Sequence, residues 1–177
     1  VDTAGVGFVG GSTSWGFTTG AATLPEGTCP CSLFTTNTTP AIASAADVNL
    51  VTLGVKFTVE TPGMITALRF YKGASNVGTH VGRLWRADGT QLANVTFSGE
   101  SSQGWQTAPL SSPVEVQPGV EYVVSYLAPV GNYAVTPQRF SGAGYSRGPL
   151  SVASGGGLFT YADAFPSESS TTDYSAD

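Results

Sequence analysis

The sequence is poor in charged residues, which make up 11% of its 177 positions, against about 25% in a typical soluble protein. Seven lysines and arginines and twelve aspartates and glutamates give a net charge of −5, and the basic residues are dispersed along the chain. Nucleic-acid binding requires clustered basic side chains that neutralise phosphates. The composition therefore argues against a nucleic acid as the partner.

Long apolar runs are also missing, since no stretch approaches the roughly 20 residues that a transmembrane helix needs. The first ten residues have neither the basic start nor the apolar centre of a secretory signal peptide. We therefore expect no membrane insertion. If the protein is exported, we expect its signal peptide to have been removed already.

Metal-binding and redox residues are scarce. The chain has one histidine, His80, and its only two cysteines flank a proline in Cys29-Pro30-Cys31. A structural zinc site uses four ligands, and a redox dithiol normally has two residues between its cysteines. A disulfide across one residue is tight but geometrically possible. We interpret the pair as a disulfide, with free thiols and a metal ligand pair as the alternatives.

Glycine and proline, with 23 and 11 residues, are abundant and divide the chain into short segments. Residues 1–46 are rich in Gly and Thr and are interpreted as an irregular lead-in that adds at most one strand, at residues 14–19. From residue 51 to residue 59, apolar residues alternate with polar or small ones, which is the period of a half-buried strand. Residues 47–177 are therefore interpreted as a β-sandwich module.

Turn residues separate the further strands. Pro62-Gly63 predicts a turn with a positive φ at the glycine, after which residues 64–72 are expected to pair back on the first strand. Asp88-Gly89 predicts a type I′ hairpin turn between strands at residues 80–87 and 90–97. Other strands are predicted at residues 104–110, broken by Pro109, at 121–127, and as short pieces at 133–135, 139–140 and 158–161.

No helical period persists beyond one turn. Closely spaced strands joined by tight turns, without helices, are typical of sandwiches and barrels. The predicted fold class is therefore all-β: an antiparallel β-sandwich of jelly-roll or immunoglobulin-like type, with little or no helix.

An ordered series of motifs resembles a known family. The series includes Cys29-Pro30-Cys31-Ser32-Leu33-Phe34, Arg69-Phe70-Tyr71-Lys72-Gly73, Gly78-Thr79-His80-Val81-Gly82-Arg83-Leu84-Trp85 and Tyr122-Val123-Val124-Ser125-Tyr126. It is similar over about residues 29–177 to domain of unknown function 4082, β-sandwich modules of secreted, multi-domain bacterial proteins that often lie beside glycoside hydrolases. The resemblance implies a sandwich fold, a secreted or cell-surface location and a polysaccharide-associated neighbourhood. It implies no established activity.

The sequence offers no catalytic constellation. A serine or cysteine nucleophile needs a base, and His80 is the only histidine available. It stands at the start of a predicted strand, where it either hydrogen-bonds a loop carbonyl or contacts a ligand. The twelve acidic residues are scattered and indicate no pair across a cleft for glycoside hydrolysis. We predict that the protein is not an enzyme.

Acidic residues near the first strong strand fit a structural calcium ion better than catalysis, because sandwich modules often hold their loops with oxygen ligands. Asp47 and Asn49 form the candidate group, joined by Asp163 or Asp173 from the end of the chain. The alternative is that these side chains make turn and capping hydrogen bonds. No other cofactor is expected.

Aromatic side chains are the candidate ligand-binding residues, because the apolar C–H faces of sugars stack on aromatic rings while polar neighbours bind the hydroxyls. Trp85 shares a strand face with Arg83 and is the leading platform. The alternative is that Trp85 and Trp105 lie in the core. The full candidate set is Arg69, Tyr71, His80, Arg83, Trp85, Trp105, Gln106 and Tyr133.

Two functions are predicted from these features. The first is a non-catalytic extracellular accessory module that binds a polysaccharide or another glycan. The second is a structural module of a surface layer or filament. Members of the resembled family usually continue beyond the region of residues 174–177 into a final apolar strand, so an open sheet edge is expected here. Such an edge would self-associate by accepting a strand, for which the first 28 residues are a candidate.

Overall fold

The computed structural model describes residues 29–170 and 172–174, which contain strands and loops and no helix. In this part of the chain there is thus no helix that could cross a membrane. The strands are β1 (Val51–Val59), β2 (Gly63–Lys72), β3 (Val81–Arg86), β4 (Gln91–Thr96), β5 (Gly104–Val116), β6 (Tyr122–Ala128), β7 (Val135–Pro137), β8 (Tyr145–Arg147), β9 (Leu150–Val152), β10 (Gly157–Thr160), β11 (Glu168–Ser169) and β12 (Thr172–Tyr174). All sheet pairings are antiparallel, which confirms the predicted fold class.

The larger layer is built around β1 and β6. Its strand order is β11-β10-β1-β6-β3-β4, and β9 pairs with the end of β1 and with β8. All seven residues of β6 are buried, because both faces of the sheet centre are covered. The predicted alternation of Tyr122, Val124 and Tyr126 toward one face is confirmed, since all three belong to the main core.

The second layer is a pair formed by β2 and β5, and its position corrects the expected topology. Strand β2 does not pair with β1, whose neighbours are β6, β9 and β10. The chain instead crosses to the opposite layer after β1, and Gly63 is not among the glycines with positive φ. Phe70 of β2 stacks on Tyr126 of β6 with 4.4 Å between ring centroids, which places the core between the layers.

Strand β5 was predicted at residues 104–110 with a break at Pro109, but it continues without a break through Pro109 and Pro113 to Val116. Its only strand partner among the described residues is β2. A proline whose missing N–H points away from the paired side removes no ladder hydrogen bond, so an edge strand tolerates it. One-sided pairing therefore explains why the prolines do not end the strand.

The hairpin between β3 and β4 is confirmed, although its turn is not of type I′. Gly89 has a φ of 88°, but Asp88 does not have a positive φ. The Asp88 carboxylate instead accepts a hydrogen bond of 2.9 Å from the backbone N–H of Thr90. The aspartate thus serves as a side-chain acceptor in the turn rather than as a left-handed residue.

The described part of the lead-in, residues 29–46, contains no strand beyond a single bridge between Ile42 and Val135. Cys29 and Cys31 form a disulfide, as predicted, and the Cys29-Pro30 peptide bond is cis. Leu33 and Phe34 are buried in the main core, so this part of the lead-in packs with the sandwich. The strand predicted at residues 14–19 lies outside the described residues.

The short strands after residue 132 were predicted in part. Strand β10 matches the piece expected at residues 158–161, whereas residues 139–140 lie in a turn and β7 begins later than expected. Strand β12 pairs with β7, with Tyr174 in register with Val135. In the structure the last described strand is therefore paired along one edge.

Candidate functional site

Exposed apolar side chains concentrate at one end of the sandwich. Seven large hydrophobic residues of the described chain are exposed, and four of them lie beside the start of β1, the end of β6 or the end of β10: Val48, Leu50, Val130 and Tyr161. We call the group formed by Asp47, Asn49, Val130, Tyr133 and Tyr161 the Asp47 surface. It combines exposed apolar groups with hydrogen-bonding side chains, the composition of a binding site.

Asp47 is the polar centre of this surface. Its Oδ1 accepts hydrogen bonds from the Asn49 backbone N–H at 3.0 Å and from Asn49 Nδ2 at 2.9 Å. Its Oδ2 accepts from the Tyr161 hydroxyl at 2.7 Å and from the Tyr133 hydroxyl at 3.4 Å. Burial alone would raise the pKa of Asp47, but these hydrogen bonds outweigh it and lower the pKa. Asp47 is therefore held as a carboxylate.

Backbone contacts fix the loops that carry these side chains. The Asn132 N–H donates to the Asp47 carbonyl at 2.6 Å, and the Ala45 N–H donates to the Tyr133 carbonyl at 2.8 Å. Gly131 has a φ of 63°, and a Cβ there would lie 2.1 Å from the Asp47 carbonyl oxygen. Only glycine permits this approach. The two loops are thus joined closely enough to hold Asp47 and Tyr133 in one arrangement.

The structure brings the predicted calcium pair into the Asp47 surface, and the side chain of Asp173 lies outside what the structure describes. Asp163 forms an ion pair with Arg83 instead, and no group of three His, Cys, Asp or Glu residues suited to a metal occurs in the described residues. The hydrogen bonds of Asp47 fit the alternative that Asp47 and Asn49 stabilise a turn. Calcium at this position stays a prediction.

Trp85 does not provide the exposed platform that the sequence predicted. Only 8% of the residue is exposed, and it packs with Val123, Leu158 and Phe165 in a small second core. The Phe165 ring stands edge-on to the indole, with centroids 5.5 Å apart. The indole N–H donates to Ser125 Oγ at 2.8 Å. The alternative interpretation of Trp85 as a core residue is therefore correct.

Arg69, Tyr71 and Trp105 do come together, on one face of the strand pair β2 and β5. Gln106 is in register with Phe70 on the other face, where its side chain is buried and binds Ser101. The Arg69 guanidinium lies 4.5 Å from the centroid of the Trp105 ring, and the Tyr71 ring stands edge-on to it. Trp105 also stacks on buried Phe34 and donates its indole N–H to the Thr38 carbonyl. These contacts pack Trp105 against the rest of the protein. The cluster therefore stabilises the fold and does not present an exposed aromatic face to a ligand.

His80 is fully buried, and a carboxylate replaces the loop carbonyl that we expected as its partner. Its Nδ1 lies 2.8 Å from Glu100 Oε1 and its Nε2 lies 2.9 Å from Asn76 Oδ1. The Lys72 ammonium binds the same carboxylate at 2.7 Å. Burial lowers the pKa of His80, against the opposing effect of Glu100. With none of its surface exposed, His80 cannot contact a substrate in this conformation.

The amide of Asn76 fits a neutral His80. Asn76 Nδ2 is buried and has no hydrogen-bond partner in the described chain, while Oδ1 faces the imidazole Nε2. Turning the amide by half a rotation would place Nδ2 against Nε2 with the same heavy-atom positions. The ring would then donate from Nδ1 to Glu100 and accept at Nε2, which a neutral imidazole can do.

The sequence did not identify Tyr161, Val48 or Val130 as site residues. Tyr161 was noticed only as the last residue of a predicted strand, and it becomes a partner of Asp47 because β10 pairs with β1. Such a neighbour cannot be found from spacing along the chain. The available signal was an aromatic residue at a strand end, followed by Ala162 and Asp163.

A comparison with known families gives a match over residues 37–176 to the model described as domain of unknown function (DUF4082). The match begins after the Cys29-to-Phe34 motif, which therefore lies outside the matched residues. No curated protein and no solved structure matches the chain. Because the matched residues make up most of the sequence and include β1 to β12, the chain belongs to the DUF4082 family.

Proposed function

We propose that the protein is a non-catalytic extracellular accessory module that binds carbohydrate through the Asp47 surface. The observation that carries the proposal is the placement of Tyr161, which is 55% exposed while its hydroxyl is held by Asp47. The ring also packs edge-on with Phe159, with centroids 5.7 Å apart, and an aromatic ring that is held in place and half exposed suits stacking against the C–H face of a sugar. Asp47 and Asn49 supply the neighbouring hydrogen-bonding groups.

The non-catalytic part of the proposal is supported by the positions of the reactive side chains. The single histidine is buried and contacts Glu100 and Asn76. Glu100 is held by Lys72, and Asp163 by Arg83. A glycosidase needs two carboxyl groups facing each other across a cleft, and these acids form ion pairs on separate parts of the fold. The extracellular location rests on the family's setting in secreted proteins.

Calorimetric titration and a glycan array would test carbohydrate binding. The expected result is saturable binding to at least one polysaccharide, lost in Tyr161→Ala and retained in Val77→Ala. Val77 is a suitable control because it is exposed to a similar extent, 53%, and is not part of the Asp47 surface. Absence of binding to every glycan, or equal binding by Tyr161→Ala and the unmodified protein, would overturn the proposal.

Assembly into a surface layer or filament is the second candidate function. The observation that favours it is a strand edge of β2 that has no strand partner among residues 29–170 and 172–174. Such an edge is a template for another chain. Size-exclusion chromatography and electron microscopy at increasing concentration test this candidate, and a strictly monomeric particle would argue against it.

A further inference from the structure

A cleft of about 600 Å³ lies between the two layers, at the opposite end of β1 from the Asp47 surface. Its walls are mainly aliphatic and aromatic: Phe57, Val59, Ile65, Leu68, Leu84, Val116, Val124 and Leu150. Native interiors are close-packed and rarely leave voids of this size. A cleft of this volume falls within the range of ligand-binding sites in proteins.

The backbone of β2 forms one side of this cleft. Every residue from 62 to 69 lines it, although successive side chains of a strand point to opposite faces. Lining by consecutive residues fits a strand whose edge faces the cleft. Strand β2 pairs with β5 along its other edge, and no described strand pairs with the edge beside the cleft. Within the described part of the chain, the backbone of residues 63–68 is therefore unpaired along this edge.

This edge lacks two of the features that usually block strand addition, although the pairing of β2 with β5 is irregular between Ile65 and Ala67. Charged side chains and prolines protect exposed edges, yet residues 63–68 read Gly-Met-Ile-Thr-Ala-Leu. Met64 is 56% exposed at the cleft. By contrast, Pro109 and Pro113 lie within β5 on the other side of the same layer. Prolines thus protect β5 against strand addition, whereas residues 63–68 of β2 carry neither a proline nor a charged side chain.

The charge of the cleft indicates the chemistry of its occupant. Among the described lining residues Arg69 is the only charged side chain, and no carboxylate is present. Arg69 lies at one end of the open stretch, where its guanidinium lies over the Trp105 ring and donates to Ser32 Oγ at 2.7 Å and to the Phe34 carbonyl at 3.3 Å. An apolar segment with an acidic residue at that end is therefore complementary to the cleft.

We propose that the cleft accepts an extended peptide from another polypeptide as an added β-strand beside β2. The peptide pairs with the backbone of residues 63–68, directs alternate apolar side chains between the layers and places an acidic residue near Arg69. Backbone hydrogen bonds give affinity in this mode, and alternate side-chain pockets give specificity. This proposal deepens the second candidate function, because both rest on the unpaired edge of β2, and peptide binding by a protein that stays monomeric would separate the two.

The test uses a synthetic peptide of alternating Val and Thr that ends in Glu, titrated into the full chain. We expect saturable binding and slowed amide hydrogen exchange within residues 63–68. The same peptide with alternate N-methylated residues should bind at least about tenfold more weakly, because each methyl group removes a backbone N–H that strand pairing uses. Peptide binding without slowed exchange at β2, or equal binding of the N-methylated peptide, would overturn the proposal.

Substitutions at two exposed residues provide a second test, because neither is expected to disturb the folded core. Met64→Lys adds a charge at the open edge and should weaken binding by at least about fivefold, since edge lysines oppose strand addition. Val77→Lys adds the same charge at a similarly exposed residue outside the cleft and should leave binding unchanged. Equal effects of the two substitutions would contradict strand addition at β2.

Discussion

The Tyr161 hydroxyl donates a 2.7 Å hydrogen bond to Asp47 Oδ2 across a separation of 114 residues. The bond depends on the antiparallel pairing of β1 with β10, in which Thr52 lies in register with Thr160. It connects a charged group that the sequence identified to an aromatic ring that it did not. The proposed carbohydrate site is built on this contact.

Removing the Tyr161 hydroxyl should change the titration of Asp47. The pKa of Asp47 lies below its ordinary value of 3.8, so its contribution to stability is present above about pH 4 and is lost as the pH falls through the folded-state pKa. In Tyr161→Phe one of the lowering hydrogen bonds is missing, and the pKa should rise. NMR titration of the Asp47 carboxyl carbon would measure the change.

Tyr133→Phe is the matched control, because its hydroxyl lies farther from Asp47, at 3.4 Å. The expected rise in the pKa of Asp47 is smaller than in Tyr161→Phe. An equal rise in the pKa of Asp47 in both variants would contradict a stronger effect of the shorter Tyr161 hydrogen bond.

Gly131→Ala should destabilise the protein more than Gly142→Ala. Both glycines have positive φ, but an added Cβ meets the Asp47 carbonyl oxygen at Gly131 and open space at Gly142. We expect a loss of about 1 kcal/mol for Gly142→Ala from backbone strain. Gly131→Ala should lose about 1–3 kcal/mol more because of the clash. Urea unfolding would measure both, and similar losses would contradict the close contact of the loops.

Trp85→Ala should affect stability rather than carbohydrate binding. The indole is buried against Val123, Leu158 and Phe165, so its removal leaves a cavity that costs about 3–5 kcal/mol. Tyr161→Ala, at an exposed position, should cost far less. Thermal unfolding and glycan titration of both variants separate the two roles. Loss of binding in Trp85→Ala with unchanged stability would reverse the assignment.

Stability should fall as the pH is lowered below about 6.5, with His80 as the cause. Burial lowers the pKa of His80 from 6.5, so the unfolded chain binds the proton more readily and stability rises with pH in this range. His80 is the only histidine, which simplifies the assignment. Urea unfolding at pH 5 and pH 8 should show a smaller difference in His80→Gln. An unchanged difference would exclude His80 as the source.

The sequence predicted only some of the residues that form the Asp47 surface. Asp47, Asn49 and Tyr133 were all singled out from the sequence, but for two different roles and without any link between them. Tyr161 joins them only in the folded chain. For Trp85 the strand and the face were predicted correctly, but its exposure was not. Phe165, which covers the indole, lies far from Trp85 in the sequence. Local patterns do not reveal which distant segment covers a given side chain.

The sequence by itself determined the all-β class, the strands β1, β3, β4 and β6, and the low charge of the chain. These properties follow from alternation, turn residues and composition, which act over a few neighbouring residues. Only the tertiary structure decided that β2 leaves β1 for the opposite layer, that Trp85 is buried and that Tyr161 meets Asp47. An alternating strand fits either layer equally well, so its partner is selected by packing between residues far apart in the chain.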